Sequence, residues 1–396
     1  MWSILTRRSV RLISLAATAC LLAGAALAAD PEFVGSKRCG DCHEEDYASW
    51  QKSFHAKMIR PKDTAILKDV VEQWNNGGPT KINLTGAPAA LNDVDMVIGS
   101  RWKQRFLVRN PATGGHIFLD KQWNAITKKW EAYGNKNDWE TNCATCHSTG
   151  YRLTSYDPNK PTEQKWSMVE YNVGCETCHG PGAKHSKSEK ARDIYSFKGK
   201  SVEEQTRVCG YCHIRGENDL YKTAQGNPSE HLPSPVIGKT WLPGDDWTKW
   251  YAEHSVIPGV HPQDKIDAVY KGDLAGMFKT DDIAKAGNFY DAAKHHQQYQ
   301  EYIQSPHYNA AKAKDRLSCS GCHTSHISDA TPKLIVPKET CKECHDASYT
   351  VEKYMPGTGQ TANGLFVRTH TFSKNQSRPA QTTVSGEPVY YNSKGQ

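Results

Sequence analysis

The sequence lacks spare cysteine, a large apolar fraction and a second long hydrophobic run. Twelve of its 13 cysteines lie in six copies of one short motif, and the last, Cys20, lies in the N-terminal apolar stretch. No cysteine is therefore left for a disulfide framework or a thiol nucleophile. The hydrophobic fraction is 37%, which is low for a chain of this length unless bound apolar groups complete the core.

The repeated motif is Cys-x-x-Cys-His, the attachment signature of c-type haem. The two thiols bond the porphyrin and the histidine binds the iron as its proximal ligand. Disulfides or zinc sites are the alternatives, but neither requires a histidine after every cysteine pair. The sequence thus predicts six covalently attached haem c groups. The attachment cysteines are Cys39, Cys42, Cys143, Cys146, Cys175, Cys178, Cys209, Cys212, Cys319, Cys322, Cys341 and Cys344, and the proximal histidines are His43, His147, His179, His213, His323 and His345.

The N-terminal run resembles an export signal. Arg7, Arg8 and Arg11 precede the uncharged residues 12–28, which end in a small-x-small cleavage site. We predict a removed signal peptide over residues 1–28. A retained membrane anchor is the alternative, because the run is close to spanning length. The expected compartment is the periplasm, with the cell exterior or an outer-membrane association as alternatives.

The formal charge of +6 is not an argument for nucleic acid or anionic lipid. Three of the arginines leave with the signal peptide, and six haems bring acidic propionates, so the mature protein is expected to carry a negative formal charge. The expected partners are redox proteins, namely other cytochromes and quinol-linked or terminal oxidoreductases, with a membrane-associated complex as a further expectation.

The N-terminal half contains a recognisable set of short segments. They are Phe33-Val34-Gly35, Lys37-Arg38-Cys39, His55-Ala56-Lys57, Cys146-His147 with Gly150-Tyr151, Val173-Gly174-Cys175, Gly180-Pro181-Gly182 and the motif at Cys209. In these segments residues 33–213 resemble the tetrahaem cytochrome c-554 family, electron carriers of ammonia-oxidising bacteria. The resemblance implies that a histidine of the type of His55 binds a haem remote in sequence and that one haem, by motif order the one on His147, is five-coordinate. The chain departs from the family in an insertion at 61–140 and after residue 216.

Eleven histidines outside the motifs are candidates for the second axial ligand. His55 follows a helix face formed by aromatic residues, although Met58 or a surface role are alternatives. His295 and His296 both lie on an apolar helix face, and the His-x-x-Tyr text of related multihaem proteins favours His296. His326 follows a motif histidine too closely to bind the same iron and should reach a neighbour. The favoured distal set is His55, His185, His296, His307, His326 and His370.

The predicted fold is mainly α, with extensive loops wrapped around a multihaem array and a small β insertion near 96–133. In that insertion the rings of Trp102, Phe106, Trp123 and Trp130 are interpreted as a local core, with covering a haem as the alternative, and His116 as structural rather than a ligand. A helix is predicted from Asp291 to Gln304, with Asp291 as its N-cap. The predicted organisation is a signal peptide (1–28), a tetrahaem region (29–216) with the insertion at 61–140, a haem-free wrapping segment (217–290), a dihaem region (291–371) and a loose tail (372–396).

Two functions are consistent with this pattern. The first is single-electron transfer between redox partners, which full bis-histidine ligation would suit because a saturated iron binds no substrate. The second is an oxidoreductase acting on nitrite, hydroxylamine or another small nitrogen or sulfur compound at a five-coordinate haem. Against the second function, no Cys-x-x-Cys-Lys site occurs, the alternative proximal ligand of the multihaem nitrite reductases. In its favour, a spare histidine such as His231, His254 or His261 could donate protons near an open iron.

Overall fold

The computed structural model describes part of the chain. The described residues are 32–62, 68–99, 103–125, 127–155, 157, 159–160, 163–214, 238–247, 250, 262, 264, 291, 296–323, 326, 340–361 and 365–372. The predicted signal peptide, most of the wrapping segment and nearly all of the tail lie outside these residues, as do Trp102, His231, His254, His261 and His295.

The described helices are short, as expected for a chain with a small apolar fraction. They are α1 (Ser36–Gly40), α2 (Glu44–Lys52), α3 (Lys68–Gln73), α4 (Trp139–Asn142), α5 (Ala144–His147), α6 (Cys175–His179), α7 (Ala183–Ser188), α8 (Val202–Gly210), α9 (Gln298–Tyr302) and α10 (Val351–Tyr354). Among the described residues, no helix is both long and apolar enough to cross a bilayer.

The β insertion is an antiparallel meander. Its strands are β1 (Ile59–Pro61), β2 (Met96–Ile98), β3 (Lys103–Arg109), β4 (His116–Asn124) and β5 (Lys129–Ala132), paired in that order. The Gly-rich turn predicted at 110–115 joins β3 to β4, with Arg109 opposite His116. Four strands lie where the sequence predicted β structure, whereas β1 extends the sheet to a segment that alternation did not identify.

The two faces of the meander have different partners. On one face Phe106 and Trp123 pack with Trp74 and Trp130 in a local aromatic core, which confirms the interpretation of these rings as core. On the other face Leu107 and Phe118 pack against Trp139 and Ala144, around the second Cys-x-x-Cys-His motif. The insertion therefore has its own core and also supports the segment that carries the second motif.

Three small two-stranded antiparallel sheets complete the described β structure. They pair β6 (Ser148–Thr149) with β9 (Glu170–Tyr171), β7 (Arg152–Ser155) with β8 (Lys165–Ser167), and β10 (Gly357–Thr361) with β11 (Leu365–Arg368).

The helix predicted over 291–304 is not continuous. Its described part, α9, starts at Gln298 with Gln297 as N-cap, and His296 before it has a φ of 64°. Residues 292–295 lie outside the described residues, so the N-cap role of Asp291 stays a prediction. Asp291 is buried and accepts hydrogen bonds from the hydroxyls of Thr369 and Thr371. The carboxylate of Asp291 thus binds two side chains that are distant in sequence, a role that a local N-cap pattern does not indicate.

Candidate haem-binding sites

Each motif forms about one helical turn. In four of them the backbone N–H of the histidine donates to the carbonyl of the first cysteine, at 2.9 Å for His43, 3.1 Å for His213, 2.9 Å for His323 and 2.8 Å for His345. The third motif is α6 itself. A turn of helix places residues i and i+3 or i+4 on one side, so both thiols and the imidazole are presented to the same side of the backbone.

Five motif histidines have the ring of another histidine opposite them. The ring centroids are 6.0 to 6.4 Å apart in every pair. Each partner belongs to the distal set predicted from the sequence. The pairs are His43 with His185, His213 with His55, His179 with His326, His345 with His307, and His323 with His370.

These separations fit an iron between the two rings. A metal bound to two imidazoles lies about 2 Å from each nitrogen, and each ring centre lies about 1 Å farther, so the centres are expected about 6 Å apart. Two rings in direct contact, with no metal between them, reach a similar centre-to-centre distance only when they are offset or meet edge to face. All twelve motif cysteines are free of disulfides. The residues present therefore fit a c-type haem at these five sites.

Burial keeps several of these imidazoles neutral, the state that binds a metal. Burial lowers the pKa of His55 to about 4 and that of His323 to about 3. In each case a neighbouring histidine lowers it further: His213 for His55, and His370 for His323.

His147 is the exception among the motif histidines. In the described part of the chain no histidine ring lies opposite it. Its Nδ1 atom is buried without a hydrogen-bond partner. Burial, reinforced by the charge of Arg105 on β3, lowers the pKa of His147 to about 4. His296, the sixth predicted distal ligand, lies just before α9 with a φ of 64° and faces none of the motif histidines, so its role as a ligand stays a prediction.

Hydrogen bonds to the second ring nitrogen differ from site to site. Nδ1 of His179 contacts the carbonyl of Tyr195 at 3.0 Å, and that of His185 contacts the carbonyl of Lys190 at 3.1 Å. His370 uses the carbonyl of Arg368 at 3.1 Å, and His213 the side-chain oxygen of Gln298 at 3.4 Å. His326 contacts a carboxylate, Oδ1 of Asp46, at 2.9 Å.

Neighbouring motifs lie against one another. Thiols of the first and third motifs lie close enough to interact electrostatically, as do those of the second and fourth and of the fourth and fifth. The third and fourth motifs are electrostatic neighbours through Cys178 and Cys209. The ring of Phe372 lies 4.6 Å from His307 and 6.2 Å from His370, between the fifth and sixth sites. The attachment sites therefore form a continuous series, first–third–fourth–fifth–sixth, with the second beside the fourth.

A buried carboxylate joins the first and third motifs, and the sequence did not identify it. Glu176 accepts hydrogen bonds from the backbone N–H groups of Val34, Gly35 and Gly182, at 2.7 to 3.0 Å. Nearby, Glu170 accepts from the backbone and hydroxyl of Ser36. Glu176 occupies a variable position inside its motif and its first two partners are about 140 residues away, so no local signal marks it.

Comparisons with known proteins agree with the prediction, made from the Cys-x-x-Cys-His motifs, that the chain resembles c-type cytochromes. A family model described as cytochrome c554 and c-prime matches residues 38–76 and 118–180. Cytochrome c-554 of Nitrosomonas europaea is 24% identical over 279 residues, which cover 67% of this chain and 90% of the relative.

Two solved structures are also similar. The outer cell wall cytochrome OcwA has a TM-score of 0.54 at 20% identity, over 80% of this chain and 68% of that one. An undecahaem cytochrome from the S-layer of Carboxydothermus ferrireducens has a TM-score of 0.41 at 18% identity, over 83% of this chain and 44% of that one. The first likeness supports the fold.

Proposed function

We propose that the chain, which is similar to cytochrome c-554, is an exported hexahaem c-type cytochrome that transfers single electrons between redox partners. The observation that carries the proposal is the set of five facing histidine pairs, each joining a motif histidine to one outside the motifs. Two histidines on one iron leave no open position for a substrate, which suits electron transfer. Each haem would supply one-electron oxidation and reduction of its iron.

The chain's own residues hold these sites in fixed positions. The motif cysteines would bond each haem, and the paired histidines would bind its iron from both sides. Glu176 ties the segment before α1 to α6 and α7 through three backbone donors. The contiguous order of the motifs supports a path through the protein, because no described attachment site is isolated from the next.

The proposal is tested by counting haems and reading their spin states. Mass spectrometry of the purified protein should give the chain without its signal peptide plus six haems. Electron paramagnetic resonance of the ferric protein should show low-spin signals for the five paired sites. Fewer than five low-spin haems would contradict the ligand assignment, and a mass for fewer than six haems would contradict the cofactor count.

His147 supports a second candidate function. Because no histidine ring in the described residues faces it, we propose that its haem is five-coordinate. Such an iron could bind nitrite or hydroxylamine, although the comparisons do not favour an enzyme. A high-spin signal that cyanide or nitrite converts to low spin would support the open site, and turnover of nitrite or hydroxylamine would support catalysis. A ferric protein with only low-spin signals, unchanged by either ligand, would exclude both.

The export proposal rests on the N-terminal sequence and on the kind of protein that resembles this one. One similar structure is described as an outer cell wall cytochrome. We propose the periplasm or cell surface as the site of action, with other cytochromes and quinol-linked or terminal oxidoreductases as partners, some of them in a membrane-associated complex. Cell fractionation with haem staining tests the location, and a cytoplasmic holoprotein would overturn it.

A further inference from the structure

The third haem site has a feature that the other paired sites lack in the described residues. Its distal candidate, His326, faces His179 at a ring-centroid distance of 6.1 Å. The Nδ1 atom of His326 contacts Oδ1 of the Asp46 carboxylate at 2.9 Å. Where the other facing histidines have a hydrogen-bond partner at Nδ1, that partner is a neutral carbonyl or amide oxygen. The buried carboxylate of Glu301 is 3.8 Å from Nδ1 of His370, beyond hydrogen-bonding distance.

A carboxylate at this position changes the ligand as well as holding it. When the carboxylate of Asp46 accepts a hydrogen bond from Nδ1–H of His326, it fixes the tautomer of the imidazole, so that Nε2 keeps its lone pair for the metal. The negative charge also increases the electron donation of the imidazole, which favours the more highly charged ferric iron.

We propose that Asp46 is a positioning residue that orients His326 and gives the third haem the lowest reduction potential of the five paired sites. This proposal rests on the proposed function, because it takes His326 and His179 as the axial ligands. Asp46 lies on α2, which begins directly after the first motif. The helix next to the first haem site thus supports a ligand of the third, although His326 and Asp46 are 280 residues apart.

The test uses the full holoprotein and a potentiometric titration followed by visible and paramagnetic resonance spectra. Asp46→Asn removes the charge and keeps an oxygen acceptor. We expect the lowest midpoint potential to rise, with a change of about tenfold in the ferric–ferrous equilibrium, which is about 59 mV for one electron. Glu45→Gln is the matched control, since it removes the same charge from the adjacent exposed position of α2. It should shift no haem by a comparable amount.

The result that would overturn the proposal is an equal shift in both variants or no shift in either, since either would show that the contact with His326 does not matter. His326→Met separates this outcome from failure of the ligand assignment. The His326→Met variant should change the position of one low-spin signal and raise the reduction potential of the same haem. In the Asp46→Asn/His326→Met double variant the additional effect of Asp46→Asn should disappear. If His326→Met leaves every spectrum unchanged, the ligand assignment fails, whatever Asp46→Asn does.

Discussion

Glu176 offers the sharpest test of how the first and third motifs are held together. Its two oxygens accept from the backbone N–H of Val34 at 2.9 and 3.0 Å, of Gly35 at 2.7 Å and of Gly182 at 2.7 Å. Gly35 and Gly182 are buried and Val34 is half-buried. In Glu176→Ala all three donors lose their acceptor, and water cannot readily replace it at the two glycines.

The magnitude follows from the cost of an unsatisfied donor. Each buried orphan costs about 1–3 kcal/mol, so two full and one partial loss amount to about 3–6 kcal/mol. This is a large share of a typical stability of about 5–15 kcal/mol. Glu176→Gln keeps one oxygen but turns an amide N–H₂ toward a donor, so its loss should be intermediate.

Guanidinium unfolding of the holoprotein, followed by Soret absorbance, measures this effect because covalently attached haem remains a reporter in the unfolded chain. Asp41→Ala is the matched control. Asp41 is also an acidic residue inside a Cys-x-x-Cys segment, but its partner is exposed Arg38, and exposed ion pairs contribute little. If Glu176→Ala lowers the free energy of unfolding by no more than Asp41→Ala does, the hydrogen bonds to Glu176 do not stabilise the protein.

Three further outcomes are expected. Phe372→Ala should change two low-spin resonance signals, because its ring contacts the candidate ligands His307 and His370 of two different sites. Phe197→Ala should change one signal, because its ring contacts the candidate ligand His179. The same number of changed signals in both variants would show that Phe372 does not connect two sites. His116→Ala should lower the free energy of unfolding by about 1–3 kcal/mol, because Oε1 of the fully buried Glu140 carboxylate loses its contact with the ring at 2.6 Å, while Oε2 keeps the backbone N–H of residue 116. No measurable loss in thermal unfolding would show that the ring contact is unimportant. Burial raises the pKa of the Asp138 carboxyl above its usual value of 3.8. The folded state therefore holds this proton more tightly than the unfolded state, and the contribution of Asp138 to folding stability should fall as the pH rises from about 3.8 through the raised pKa. The free energy of unfolding relative to Asp138→Asn should show this decline, and a difference independent of pH would refute it.

The candidate attachment sites could be predicted because their signal is local: two thiols and an imidazole on a single helical turn are carried by five consecutive residues. Their role in haem attachment stays a prediction. The β insertion was predictable for a similar reason, since alternation and a Gly-rich turn at 110–115 are local patterns. The contacts of Asp291 were not, because its carboxylate accepts hydrogen bonds from the hydroxyls of Thr369 and Thr371, which are about 80 residues away.

The sequence by itself determined which residues can attach haem and which histidines are available as second ligands. Tertiary structure alone decided which histidine faces which: His326 reaches His179 across 147 positions, and His55 reaches His213 across 158. It also decided that His147 has no facing histidine in the described residues and that Asp46 contacts His326. The physical reason is that attachment is a property of one turn of backbone, whereas axial pairing and the charges around it depend on how segments far apart in the chain pack together.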